Sequence, residues 1–324
     1  MPRPILCPVD FSESSRGALR YAAALAEHFG SELTVITVND PLLAEAAAMD
    51  SSPDRVHDET LAELTRFTEA AIARSLSAAT SAYYVATGQP APEILRACRE
   101  RGSELIVMSS QGLSGFRKMF FGSTAERVLR ETTAPVLVVP GSARGPASVE
   151  EAAASVRRVL APVLFGPGAG PQLAVLRALA ESLSAPALVL HVVEPVRAVL
   201  PKGDHYLPSV EQERRARAEA EIAALVVEHT PGAEALIAYG EPSEEIVKVA
   251  RARGVGLIVM GLQGSSLFGP RIGSVTYRVL STAGCLVLAL PPVRTRGKIP
   301  SAGKNPGPWS RGKSQQRTSR SAKR

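Results

Sequence analysis

An internal repeat limits what this chain can fold into more than any other feature. Five blocks recur in the same order. RPILCPVDF (3–11) reads against RRVLAPVLF (157–165), and GQPAPEI (88–94) against GEPSEEI (240–246). ELIVMSSQG (104–112) reads against GLIVMGLQG (256–264), FGSTAERVL (121–129) against IGSVTYRVL (272–280), and APVLVVP (134–140) against GCLVLALP (284–291). Chance does not keep order and spacing over five blocks. With 324 residues and domains of roughly 100–200 residues, each copy is long enough to bury its own core. The copies are read as domains over residues 1–140 and 157–293, joined by a linker at 141–156 and followed by a tail at 294–324.

Inside each copy, short apolar runs alternate with longer helical patterns. ILCPV, ELTVITV, SAYYVAT, ELIVMS and PVLVVP are continuous Val/Ile/Leu-rich runs, as expected of strands buried on both faces of a parallel sheet. Between them 14–29, 58–76, 92–101 and 123–131 read as helices, and the second copy repeats the pattern near 171–183, 209–228, 244–253 and 274–281. The linker, polar and rich in small residues, begins or ends as a helical turn. The fold class is α/β: two tandem doubly wound five-stranded parallel sheets with crossover helices.

The net charge of +6 belongs to the tail. Residues 294–324 hold ten Lys/Arg and no acid, and the remaining 27 Lys/Arg face 31 Asp/Glu. The tail reads as disordered. It is either a solvated extension or an electrostatic arm for nucleic acid or an anionic surface, with Trp309 as its one stacking residue. Gly307–Ser314 spells a Walker A pattern but lacks the strand and helix that would build the cradle. Cys7, Cys98 and Cys285 are an odd set without metal spacing and read as reduced core thiols. No stretch approaches the roughly 18–20 apolar residues of a membrane span, and an acid at position 10 comes too early for a signal peptide. Cytoplasm is the expected compartment.

In an open parallel sheet, ligands sit beyond the carboxyl ends of the strands, where strand order reverses. In the first copy those ends carry Pro8, Val9 and Asp10, then Met108 and Ser109 with the loop QGLSGFRKMFFGST. Gly112 and Gly122 permit close backbone approach, and Ser123 and Thr124 open a helix whose first N–H groups suit an anion.

This pattern resembles the universal stress protein family. ATP-binding members carry G-x2-G-x9-G-S/T after the fourth strand, an acid after the first, and G-x-P-x-x-x-I opening the third helix. Ser109, Gly112, Gly122 and Ser123 reproduce three of the four loop positions with the family's spacing; the first glycine is serine. The resemblance implies a Rossmann-like, adenine nucleotide α-hydrolase-like fold and an ATP site, with Mg a companion of the phosphates. Asp10 would meet the adenosine, Val38 would line the base, and Gly112, Gly122, Ser123 and Thr124 would hold the phosphates, beside Pro8, Val9, Met108 and Ser109. The matching set in the second copy is Pro162, Val163, Val192, Met260, Gly261, Gly264, Gly273, Ser274 and Val275. There the loop is one residue shorter, and Leu164 stands where the first copy has Asp10. The resemblance also implies an internal pseudo-dimer, with 135–139 facing 286–290, and a regulatory binding role rather than an enzymatic one.

Each feature has a structural alternative. Asp10 also fits as a helix cap, and the loop glycines as plain turn residues. Arg117, Lys118 and Arg271 fit as solvated charges, and His191 as a satisfied core histidine. His28, His57, His205 and His229 form no metal cluster. GPGAGP (166–171) fails the dinucleotide fingerprint, which needs glycine at Pro171. The competing function is an interaction module of the same fold that binds no nucleotide; a third reading is a nucleotide-cleaving enzyme, whose signatures after the first strand are missing.

Overall fold

The computed structural model describes residues 4–42, 53–72, 81–112, 121–195, 199–200, 203–204, 208–262 and 272–292. Met1–Val293 form one compact unit; Arg294–Arg324 form a second, which lies outside the described residues together with the tail's proposed roles.

The first half supplies β1 (Ile5–Pro8), α1 (Glu13–Phe29), β2 (Leu33–Asn39), α2 (Pro53–Ile72), β3 (Ser81–Thr87), α3 (Pro90–Glu100), β4 (Leu105–Ser109), α4 (Ser123–Glu131) and β5 (Val136–Val139). The linker forms α5 (Val149–Ser155). The second half supplies β6 (Val159–Pro162), α6 (Ala169–Ser182), β7 (Ala187–Val193), the short strands β8 (Val199–Leu200) and β9 (Gly203–Asp204), α7 (Pro208–His229), β10 (Glu234–Tyr239), α8 (Pro242–Ala252), β11 (Leu257–Gly261), α9 (Ser274–Thr282) and β12 (Leu286–Leu290).

The two expected sheets are one. Ten strands run in the order β10-β7-β6-β11-β12-β5-β4-β1-β2-β3, parallel within each half. At the centre β5 meets β12 antiparallel, pairing Val138 with Val287, Leu137 with Leu288 and Val136 with Ala289. The pseudo-dimer through the fifth strands is therefore present, and it removes two apolar edges that would otherwise invite aggregation. Phe121 and Tyr277 add a ring contact across the same seam, with centroids 6.1 Å apart.

Strand alternation sends side chains into two core layers. Ile5, Cys7 and Val9 enter one layer and Leu6 the other. Leu137 and Leu288 share the first layer, Val136, Val138 and Val287 the second, so both cores run unbroken across the seam.

The helices follow sequence chemistry. In α1 the Ser12 hydroxyl caps the N-terminus by accepting the Ser15 N–H at 3.1 Å. Gly30, at φ 60°, ends the helix in the left-handed conformation that a Cβ would strain. Ala18, Leu19, Ala22, Ala23 and Ala26 form its buried stripe. A Cβ on Gly17 would strike the Ala143 carbonyl, so the linker lies close against α1. Arg20 fixes it there, donating to the Arg144 carbonyl at 3.0 Å.

Candidate functional site

In the first half, strand order reverses between β1 and β4. Their ladder registers Ile5 with Leu105 and Leu6 with Ile106, and the crevice lies beyond it. Asp10 follows β1, and at Phe11 the chain takes φ 61°, a conformation unusual for an aromatic residue and typical of functional turns. Asp10 Oδ1 accepts the Ser12 N–H at 3.2 Å and the Ser12 hydroxyl at 2.5 Å. The reading of Asp10 as the helix cap is thereby corrected: Ser12 is the cap, and Asp10 holds Ser12. The second carboxylate oxygen lies against the loop after β4, where a Cβ on Gly112 would be 2.5 Å from it.

The loop after β4 closes on itself at this point. Ser109 Oγ accepts the Gln111 N–H at 3.2 Å, and the Ser110 N–H donates to the Val139 carbonyl at 2.9 Å. The Ser110 carbonyl accepts the Gly122 N–H at 2.9 Å, so the chain returns beside Gly112; a Cβ on Gly122 would lie 3.9 Å from the Gly112 nitrogen. Gly122 caps α4 without a side chain, leaving the first-turn N–H groups of Ser123 and Thr124 without a side-chain acceptor from that cap. Val9, Met108 and Ser109 are buried, Pro8, Val38 and Thr124 half-buried, and Ser123 exposed. Ser12, Ser110 and Gln111 went unmarked in the sequence, although a serine two residues after an acid is the usual signal of such a turn.

The second half keeps the backbone of this arrangement and changes its side chains. Leu262 replaces Ser110; its N–H donates to the Leu290 carbonyl at 2.8 Å and its carbonyl accepts the Gly273 N–H at 3.1 Å. Leu164, in the place of Asp10, is 74% exposed. Thr276 Oγ1 donates to the Gly261 carbonyl at 2.9 Å. His191 lies 3.0 Å from the Val163 carbonyl through Nδ1 and stacks on Phe165 with centroids 3.9 Å apart, a partnered histidine as the sequence suggested. Val163 and Met260 are buried, Pro162, Val192, Gly261, Gly273 and Val275 half-buried, and Ser274 exposed. Gln172, unmarked in the sequence, donates through Nε2 to the Pro162 carbonyl at 2.8 Å and to the Val259 carbonyl at 2.9 Å. Gly264, Arg117, Lys118 and Arg271 lie outside the described residues.

Between α4 and α9 a groove of about 450 Å³ is lined by Glu126, Arg130, Ile272, Ser274, Tyr277 and Arg278. Its arginines are already paired, Arg130 with Glu126 and Arg278 with Glu241 at 3.5 Å. Burial would raise the Glu241 carboxyl, but hydrogen bonds from the Ser243 hydroxyl and from the N–H groups of Glu244 and Ser243, with the Arg278 charge, outweigh it and hold the group below its ordinary range. Among the described residues, no three His, Cys, Asp or Glu side chains are grouped to hold a metal, and no helix is long and apolar enough to cross a membrane.

A doubly wound fold repeated in tandem, with the residue after β4 or β11 in each half bonded to the glycine that caps the next helix, defines a class of α/β protein whose crevices face the carboxyl ends of the strands. The Universal stress protein family matches residues 1–140 and 155–291, and the chain belongs to that family. It is 32% identical over 146 residues to universal stress protein YxiE of Bacillus subtilis, covering 42% of this chain and 97% of that protein. It is 35% identical over 144 residues to a universal stress protein of Thermus aquaticus encoded in the QAH/OAS sulfhydrylase 3′ region, covering 43% and 99%. Along nearly its whole length the fold is that of a universal stress protein from Archaeoglobus fulgidus, with TM-score 0.61, 20% identity, and 89% and 98% of the two chains covered. Protein PA1789 of Pseudomonas aeruginosa PAO1 is similar in the same way, with TM-score 0.62, 17% identity, and 90% and 93% covered.

Proposed function

We propose that this universal stress protein binds ATP or a related adenine nucleotide at the switch point of its first half, with Mg²⁺ accompanying the phosphates, and acts as a regulatory binding protein. The observation that carries this reading is the approach of Asp10 to Gly112 with Gly122 returning beside them. An acceptor for a ribose hydroxyl faces a backbone stripped of side chains, next to a helix start that favours anions. Substituting either glycine would put a Cβ into the cradle. We read the role as binding rather than turnover, in keeping with an Asp10 Oδ1 engaged by Ser12 and a His191 Nδ1 engaged by a carbonyl.

The test is calorimetric titration of MgATP into the full chain and into its Asp10→Ala, Gly122→Val variant. Saturable binding that the variant loses supports the reading. Binding unchanged in the variant removes the first half as the site, and no binding in the native chain favours the competing reading, an interaction module of the same fold.

A further inference from the structure

In the second half, strand order reverses between β6 and β11. Their ladder pairs Val159 with Leu257 and Leu160 with Ile258. Past that point the Pro162 and Val259 carbonyls converge on one nitrogen, Gln172 Nε2, at 2.8 and 2.9 Å. A carboxamide nitrogen carries two protons, one for each carbonyl, and the reverse orientation would set oxygen against two oxygens. Gln172 thus spans the two strands at the switch point, the place where this class of sheet receives its ligand.

The first half has no counterpart. Aligning the repeat through Phe11 and Phe165, and through the fully buried Leu19 and Leu173, sets Ala18 opposite Gln172. Ala18, fully buried, has no donor and no reach, so the first half lacks this bridge. Leu164 in place of Asp10 is a second, independent difference at the same mouth, 74% exposed and without an acceptor for a ribose.

We infer that Gln172 is a built-in occupant of the second crevice, and that it sets the stoichiometry of the chain at one nucleotide, bound in the first half. The stoichiometry rests on the nucleotide-binding reading above; the occupancy does not. The second half then serves as a fixed partner to the first.

Two measurements test this. By NMR, the Gln172 side-chain NH2, assigned through Gln172→Ala, should exchange with solvent at least ten-fold more slowly than an exposed glutamine; equal exchange would overturn the occupancy. By calorimetry, native protein should bind one MgATP per chain and the Leu164→Asp, Gln172→Ala variant two, with alanine chosen because the first half already folds around it. Two sites in native protein, or one in a variant whose melting shows it folded, would overturn the stoichiometry. Should neither bind ATP, the functional reading and the stoichiometry fall together, and the exchange rate alone decides the occupancy.

Discussion

Asp10 and Gly112 face each other across the first switch point so closely that a Cβ on Gly112 would lie 2.5 Å from Asp10 Oδ2. No real Cβ keeps that contact, so Gly112→Ala must turn the carboxylate away and disturb its bonds to Ser12. The expected cost is about 1–2 kcal/mol, the usual range for small overpacking, with at least ten-fold weaker MgATP binding by calorimetry. Gly168→Ala is the matched control: it has helical φ −78° and nothing within 4 Å, so neither stability nor binding should fall. Equal effects from the two substitutions would separate Asp10 from the site.

Ser12 couples the helix to the acid, because one hydroxyl caps α1 and also donates to Asp10. Ser12→Ala should cost about 1 kcal/mol in urea unfolding, as N-cap removal does, and should weaken nucleotide binding as well. Ser148 caps the linker helix α5 through the Glu151 N–H at 3.2 Å. Ser148→Ala should reproduce the stability loss and leave binding untouched. Binding that survives Ser12→Ala would show that Asp10 needs no anchor.

Much of this fold was legible because buried parallel strands announce themselves as unbroken apolar runs, and the repeat gave each run a second witness. Helix ends marked by glycine and serine were also legible, and α4 matches its expected span of 123–131. The start of α2 at Pro53 was not, since its first turns carry charged residues without apolar periodicity. The strands β8 and β9 are two residues each, too short to show a period. Gln172 was invisible for a different reason. A glutamine in a helix reads as solvent-facing, and only the approach of the Pro162 and Val259 carbonyls past the β6–β11 ladder makes it a bridge. The role of Asp10 was half legible: an acid before a helix signals a cap, and only the folded turn shows that Ser12 is the cap.

The thiols give a pH signature. Burial pushes Cys285 up to about 11 and raises Cys7 and Cys98 as well. A thiol near 11 is about one part in a thousand thiolate at pH 8, against roughly a quarter for a free thiol near 8.5. Native protein should therefore react with a thiol reagent far more slowly than unfolded protein, Cys285 first and faster as pH climbs, Cys7 only on unfolding. Because folding raises these values, the stability they contribute is full below about 8.5 and declines as pH rises toward 11. Rapid labelling of Cys7 in folded protein at pH 8 would contradict its burial.

The seam is the last point at which the architecture can be pressed. Leu137 and Leu288 pair across β5 and β12, and both lie in the shared core layer at 6% and 9% exposure. A carboxylate there has no partner and no water, so Leu137→Asp should destabilise the chain by about 3–5 kcal/mol. It should also free two apolar edges for pairing between molecules. Urea unfolding reads the first effect and light scattering the second. Adding Leu288→Lys gives the acid an opposite charge at the paired position and should recover part of the loss, the non-additive signature of direct contact. If the two substitutions simply add, the halves are not held together by this pair, and the core crossing the seam must be carried by the other two rungs, Val138 with Val287 and Val136 with Ala289, and by Phe121 against Tyr277.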